Sequence, residues 1–199
     1  TAMGFPFGAD EDAAYMVSWL ELNKLSGIKN FVKISKKINK KFKGSFQLEN
    51  IKSNKKININ NNSLLMKGPG LIEYFFQKIR KKRYIEVILE NCIDPIFIIP
   101  LAARIAKNNV YINSYWIEKD LMIELNASKR NIIIKKQKNN LKISTNQLLL
   151  KISSKTLKPI IKSKKNQYII DNNLQQERLE EAINPNKKDW KLISSYAKL

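Results

Sequence analysis

The chain has 199 residues, 43% of them hydrophobic, and a formal net charge of +20 from 37 Lys and Arg against 17 Asp and Glu. It contains no histidine and one cysteine, Cys92, which excludes Ser-His-Asp and Cys-His catalysis, an internal disulfide and a Cys/His zinc site. No run approaches the ~18 apolar residues a membrane span needs, and a lone cysteine fits a reducing cytosol, so a cytoplasmic protein without a membrane partner is expected.

The chain opens on Thr1, which reads as the interior of a longer protein rather than as a nucleophile. Gly4-Phe5-Pro6-Phe7-Gly8 reads as a tight turn. Ala9–Lys24 reads as a helix, with Ala13, Met16, Val17, Trp19 and Leu20 at helical spacing. Asp10, Glu11 and Asp12 occupy its first turn, where carboxylates suit the positive end of the dipole. They are also the opposite of a basic leader segment. Gly27 is expected as the residue that ends this helix. Ile28–Phe42 fits a helix or a strand equally. Asn50–Ser63, rich in Lys and Asn, reads as a loop.

Gly68-Pro69-Gly70 is expected to break the chain, with a helix over Leu71–Lys82 and a strand over Tyr84–Leu89 to follow. Asp94-Pro95 reads as a helix start in which Asp caps and Pro fits the first turn. Pro100 either kinks that helix or marks its real start, and the helix runs to about Lys107. Six short β runs are then expected at Val110–Ile117, Leu121–Leu125, Asn131–Lys135, Leu141–Ser144, Leu148–Ser153 and Tyr168–Ile170. Two helices, Leu174–Ile183 and Lys187–Leu199, finish the chain. This order predicts a single α+β domain over 1–199: a mainly helical part (1–107), a strand-rich part (110–170) and C-terminal helices (174–199). The sheet is expected to be an antiparallel meander with helices mainly on one face and the other face wet.

Lys, Ile and Asn, all encoded by AT-rich codons, supply 84 of the 199 residues, so composition alone accounts for much of the charge. Lys129–Lys165 holds twelve basic residues, no acid and no aromatic. A solvated face is the plainer reading, because single-strand binders interleave aromatics with cations. Gln77–Arg83 is denser in charge but ends a helix, where cations suit the dipole. No phosphate-binding glycine motif occurs, and no residue pattern names a cofactor or a metal.

The candidate site is the turn at Gly8 with Asp10, Glu11 and Asp12, a carboxylate group whose plainer role is helix capping. Trp19 is expected as packing or pocket wall. Arg104, alone in an apolar helix, is a fork for a carboxylate or phosphate whose plainer role is an exposed position. Cys92, in apolar surroundings, reads as inert packing.

The segment Gly4–Ile28 resembles the opening of a bacterial family of unknown function, through Gly4, Pro6, Gly8, Glu11, Asp12, Ala13, Trp19, Leu20 and Gly27. Asp94–Ala106 is similar to that family's Pro-containing apolar helix, and Trp190, Leu192 and Ala197 to its closing element. A Gly/Ala-rich tail that follows the closing element in the family is not part of this chain. The resemblance implies a soluble cytosolic protein of metabolic role without naming a reaction. The expected function is therefore small-molecule binding or an enzyme of amino- or organic-acid metabolism. A nucleic-acid-binding module using Lys129–Lys165 is the first alternative. A complex-forming or homo-oligomeric subunit joined through its sheet face is the second.

Overall fold

A computed structural model describes residues 3–5, 8–40, 56–139, 145–163, 165–173 and 186–197. The expected strand over Leu141–Ser144 and helix over Leu174–Ile183 lie outside these residues, as do Pro6 and Phe7 of the expected turn.

Helix α1 spans Ala9–Leu22 and is capped by Gly8 in the left-handed region at φ 82°. It buries Ala13, Met16, Trp19 and Leu20, the apolar stripe that sets its orientation. Asn23 closes it, its side-chain amide donating to the Trp19 carbonyl at 2.8 Å. Gly27 does not end α1. It opens helix α2, Gly27–Ile38, so the ambiguous segment is helix as far as Ile38, and Lys41 and Phe42 lie outside the described residues. The Glu21 carboxylate accepts from the Ile28 amide at 2.9 Å and satisfies the new N-terminus. Gly27 is needed for a different reason, close approach. A Cβ there would lie 2.0 Å from the Val17 carbonyl oxygen and 2.9 Å from the Glu21 amide nitrogen. Gly27→Ala therefore forces α1 and α2 apart and is expected to cost about 3 kcal/mol or more. Urea melts of the two proteins check this, and a loss under about 1 kcal/mol contradicts the packing described.

Strand β1, Lys56–Asn58, lies in what reads as a loop and pairs parallel with β2, Tyr84–Glu90. Three residues are too few to print a period, so only pairing reveals it. Gly68-Pro69-Gly70 likewise does not break the chain, because helix α3 runs from Leu64 to Lys82 straight through it. Pro69 removes one backbone donor, but the burial of Leu64, Leu65, Met66 and Leu71 holds the turn helical. Gly68 faces Leu101, whose Cδ1 would lie 2.7 Å from an added Cβ.

Asp94 does not cap its own helix through its side chain. Its carboxylate reaches back to α3, accepting from the Leu64 amide at 2.8 Å and from the Ser63 hydroxyl. Ser63 Oγ in turn accepts from the Leu65 amide at 3.0 Å. A short 3₁₀ turn, Pro95–Phe97, leads into helix α4, Ile98–Ala106, so Pro100 is its third residue, in the first turn, where a missing N–H costs no intrahelical bond. Every residue of α4 except Arg104 is buried. It is the central helix of the core.

Strands β3 (Tyr111–Glu118), β4 (Leu121–Ala127), β5 (Asn131–Lys138), β6 (Gln147–Ser153) and β7 (Gln167–Asp171) complete a seven-stranded sheet of order β1-β2-β6-β3-β4-β5-β7. Every pairing except β1 with β2 is antiparallel. This is an α+β fold, but not a simple meander. Only β3-β4-β5 run in sequence order, whereas β6 inserts between β2 and β3 and β7 adds outside β5. Helix α5, Lys187–Ala197, rests on α2, with the Tyr196 and Ser35 hydroxyls 3.1 Å apart.

Alternation assigns the faces. Ile112, Trp116, Leu125, Ile132, Leu150 and Ile152 join the helices in the main core. Asn113, Tyr115, Glu124 and Lys135 point the other way, but this face is not wet throughout: all four are under 9% exposed. The connection between β6 and β7 crosses it. Glu124 accepts from the Ile160 and Ile161 amides at 2.7 and 2.8 Å and from Asn113 Nδ2 at 2.7 Å. Lys135, directly opposite Glu124 in register, donates its ammonium to the Ile161 carbonyl at 2.7 Å. Ile161 then seals a small apolar cluster with Ile117 and Met122.

Candidate functional site

The structure brings only some of the expected site residues together. Gly8, Asp10 and Glu11 are exposed. Asp12 is paired with Arg104 at 2.6 Å, and the same guanidinium lies 5.5 Å from the Tyr15 ring centroid. Arg104 thus anchors a carboxylate, as its fork suggests, but that carboxylate belongs to its own chain. Burial pushes the Tyr15 phenol upward, opposed by the Arg104 charge. Trp19 is 4% exposed and packs in the core. Of the six residues the structure brings together Asp12 and Arg104. Among the described residues, no group of three or more Cys, Asp and Glu is arranged to hold a metal ion.

A cavity of about 410 Å³ opens elsewhere, at the end of the sheet where β2 finishes and β3 runs out. Helix α2 supplies one wall through Asn30, Lys33, Ile34 and Lys37, and the loop Cys92–Phe97 supplies another. Trp116, Glu118 and Lys119 of β3 and its following turn form the floor and rim. None of the six turn-site residues lines it.

Two features give this cavity a chemical character. The first is Trp116, 1% exposed, whose indole N–H is buried without a hydrogen-bond partner among the described residues. A buried indole donor normally finds a partner, and leaving one unpaired costs about 1–3 kcal/mol. The second is charge. Lys33, Lys37 and Lys119 stand exposed on the rim against a single exposed acid, Glu118. The other acid in the wall, Asp94, is buried and committed to the α3 cap. Burial raises its pKa to about 6, against the lowering effect of the Ser63 and Leu64 hydrogen bonds. Burial, reinforced by the nearby Asp94 charge, drives the Cys92 thiol far upward. At 3% exposure it packs as part of the core.

Residues 1–64 match the sequence profile of a family described as "Protein of unknown function (DUF3726)". The match covers Gly4–Ile28, on which the resemblance rests, and stops short of Asp94–Ala106 and Trp190–Ala197. It contributes Asn30, Lys33, Ile34, Lys37 and Asn61 to the cavity wall, and Ser63 to the α3 cap. No curated protein matches the chain. No solved structure matches it either. No helix among the described residues is long and apolar enough to cross a membrane.

The cavity is hard to see in the sequence because its members lie far apart in the chain. Trp116 sits in a strand that alternates weakly, and Lys33 and Lys37 are two of 32 lysines. Their i, i+4 spacing on a helix is the one local signal present.

Proposed function

We propose that this protein binds a small organic anion in the cavity between α2 and the end of β3, as a binding protein or an enzyme of organic-acid metabolism. The observation that carries this reading is Trp116, a wall residue of a cavity rimmed by three lysines, whose buried N–H has no partner among the described residues. A volume near 410 Å³ falls within the usual range for small-molecule sites. Mixed apolar walls with a few polar groups fix a ligand's orientation, and the lysines attract its charge.

Thermal shift and calorimetry with a panel of mono- and dicarboxylates and phosphorylated metabolites test the proposal. A ligand bound by the native state raises Tm by mass action. Lys33→Gln with Lys37→Gln is expected to weaken the hit about tenfold, and Trp116→Phe to weaken it further by removing the donor. Asp10→Ala with Glu11→Ala is expected to leave it unchanged. The reverse pattern, with loss on changing the acids and none on changing the lysines, returns the site to the Gly8 turn. A panel without any hit overturns the proposal.

A further inference from the structure

The corner where α3 meets β2 combines cations and an aromatic sheet face in a way the cavity does not use. Arg80, Lys81, Lys82 and Arg83 follow one another there, and all four are exposed. Two of the chain's five arginines fall in this run. The three ion pairs among the described residues, Lys56–Glu90, Arg104–Asp12 and Lys151–Glu86, involve none of the four. Arg80 lies 5.7 Å from the Phe76 ring centroid. Dipole compensation explains cations in the last turn, but that effect is small for each charge and does not require four exposed in succession. The connection after β6 folds against the corner, the Ser154 amide donating to the Arg83 carbonyl at 3.1 Å. This brings exposed Lys155 alongside.

The adjoining sheet face supplies the aromatics. Tyr84, Ser153 and Tyr111 form one row across β2, β6 and β3 on the face turned away from the helices. Tyr84 is 45% exposed and Tyr111 half-buried. The small serine between them leaves the two rings about 10 Å apart at the usual strand spacing. Lys151 stands in the next row, paired with Glu86 at 3.5 Å, and Glu86 also accepts from the Tyr84 hydroxyl at 2.7 Å. Burial and that bond hold the Tyr84 phenol neutral, with its pKa pushed up to about 12. Glu86 is thus the nearby acid, and its charge is already engaged.

The geometry points to a single-stranded nucleic-acid surface, with Arg80, Lys81, Lys82 and Arg83 holding the phosphate backbone and Tyr84 stacking a base. Exposed cations beside aromatic residues on an antiparallel sheet face are what base stacking and backbone tracking require. Lys129–Lys165, the basic stretch that stands out in the sequence, contains no aromatic residue. An anionic membrane would use the same cations and could seat the tyrosines at its interface, so vesicle binding is measured alongside the oligomer.

The test measures anisotropy of a fluorescein-labelled oligouridine of about 12 nucleotides, within the usual site-size range for single-strand binders, from low to high salt. One variant carries Arg80→Gln, Lys81→Gln, Lys82→Gln and Arg83→Gln. A charge-matched control carries Lys129→Gln, Arg130→Gln, Lys136→Gln and Lys138→Gln, all exposed on or beside β5. Circular dichroism checks the fold of each. The corner variant is expected to lose more than about tenfold in affinity, with the slope of log affinity against log salt falling by about 3. The control is expected to stay within about threefold of wild type. Should the corner variant misfold, Tyr84→Ala decides: it weakens binding about tenfold while Tyr84→Phe does not. Equal losses in the two quadruple variants mean bulk charge and overturn the proposal. So does binding to phosphatidylserine vesicles but not to the oligomer.

Discussion

Replacing Glu124 with alanine is expected to lower stability by about 4 kcal/mol, among the largest losses open to a single substitution in this fold. Glu124 is fully buried and accepts three hydrogen bonds, from Asn113 Nδ2 and the Ile160 and Ile161 amides. Its removal strands the Ile160 and Ile161 amides, at roughly 1–3 kcal/mol each before relaxation, and takes one of two acceptors from Asn113 Nδ2, which keeps Asn126 Oδ1 at 2.8 Å. It also takes the opposite charge away from the neighbourhood of Lys135, which is 8% exposed. The connection between β6 and β7 loses its attachment to the sheet, and Ile161 loses its seat beside Ile117 and Met122. Glu124→Gln keeps the size but turns one acceptor into a donor that meets another donor, and about 2 kcal/mol is expected. Urea denaturation gives both numbers. Limited trypsin digestion gives the location, since Lys155 and Lys162 flank the attached segment. Faster cleavage there in Glu124→Ala, with the rest of the chain protected, marks a local release. A loss below about 1 kcal/mol refutes the role assigned to the carboxylate.

The second large effect is a pH dependence set by Asp94. Its pKa is raised from 3.8 to about 6 by burial. Below pH ~3.8 the carboxyl is protonated in folded and unfolded chains alike. Between there and about 6 the unfolded chain ionises while the folded chain keeps its proton, so unfolding releases a proton and stability falls as pH rises. Above about 6 both forms are ionised and the loss is complete. A displacement of about two pH units corresponds to roughly 3 kcal/mol. Other carboxylates titrate in the same window, so the informative quantity is the difference from Asp94→Asn. The stability of Asp94→Asn relative to wild type is expected to rise by about 3 kcal/mol between about pH 4 and pH 6.5. A constant difference across that range contradicts the role given to Asp94. Asn retains one oxygen to accept from the Leu64 amide, and its amide donor meets a Ser63 hydroxyl able to accept. The α3 cap therefore survives the substitution.

Both effects depend on residues whose partners lie far away in sequence, and the same distance separates what is legible in the chain from what is not. Asp94 before Pro95 carries every local sign of a cap, and it is a cap, but for α3, thirty residues earlier. Local spacing fixes the residue type and cannot choose between two helix ends that packing brings together. Gly27 reads as a terminator because glycine is common there, whereas the actual constraint is room for no Cβ, which would lie 2.0 Å from the Val17 carbonyl oxygen. Gly68-Pro69-Gly70 reads as a break on propensity, and burial of the flanking leucines overrides it. Glu124 leaves a faint mark, an acid inside the apolar run Met122-Ile123-Glu124-Leu125, legible only once Lys135 is known to lie opposite. The turn at Gly8 reads as a helix start with acids in its first turn, and it is one. What the local pattern does not show is that Asp12 pairs with Arg104 of its own chain, while Asp10 and Glu11 stay exposed.

The sequence by itself determined the α+β class, the positions of most helices and strands, and that this chain carries no histidine catalysis and no Cys/His zinc site. These depend on periodicity and composition, which neighbouring residues carry. Tertiary structure alone decided the strand order, the covering of the second sheet face, and the meeting of Lys33, Lys37, Trp116 and Lys119 around one cavity. Each of these is a contact across tens of residues. Its free energy comes from burial and hydrogen bonding between segments that share no local pattern.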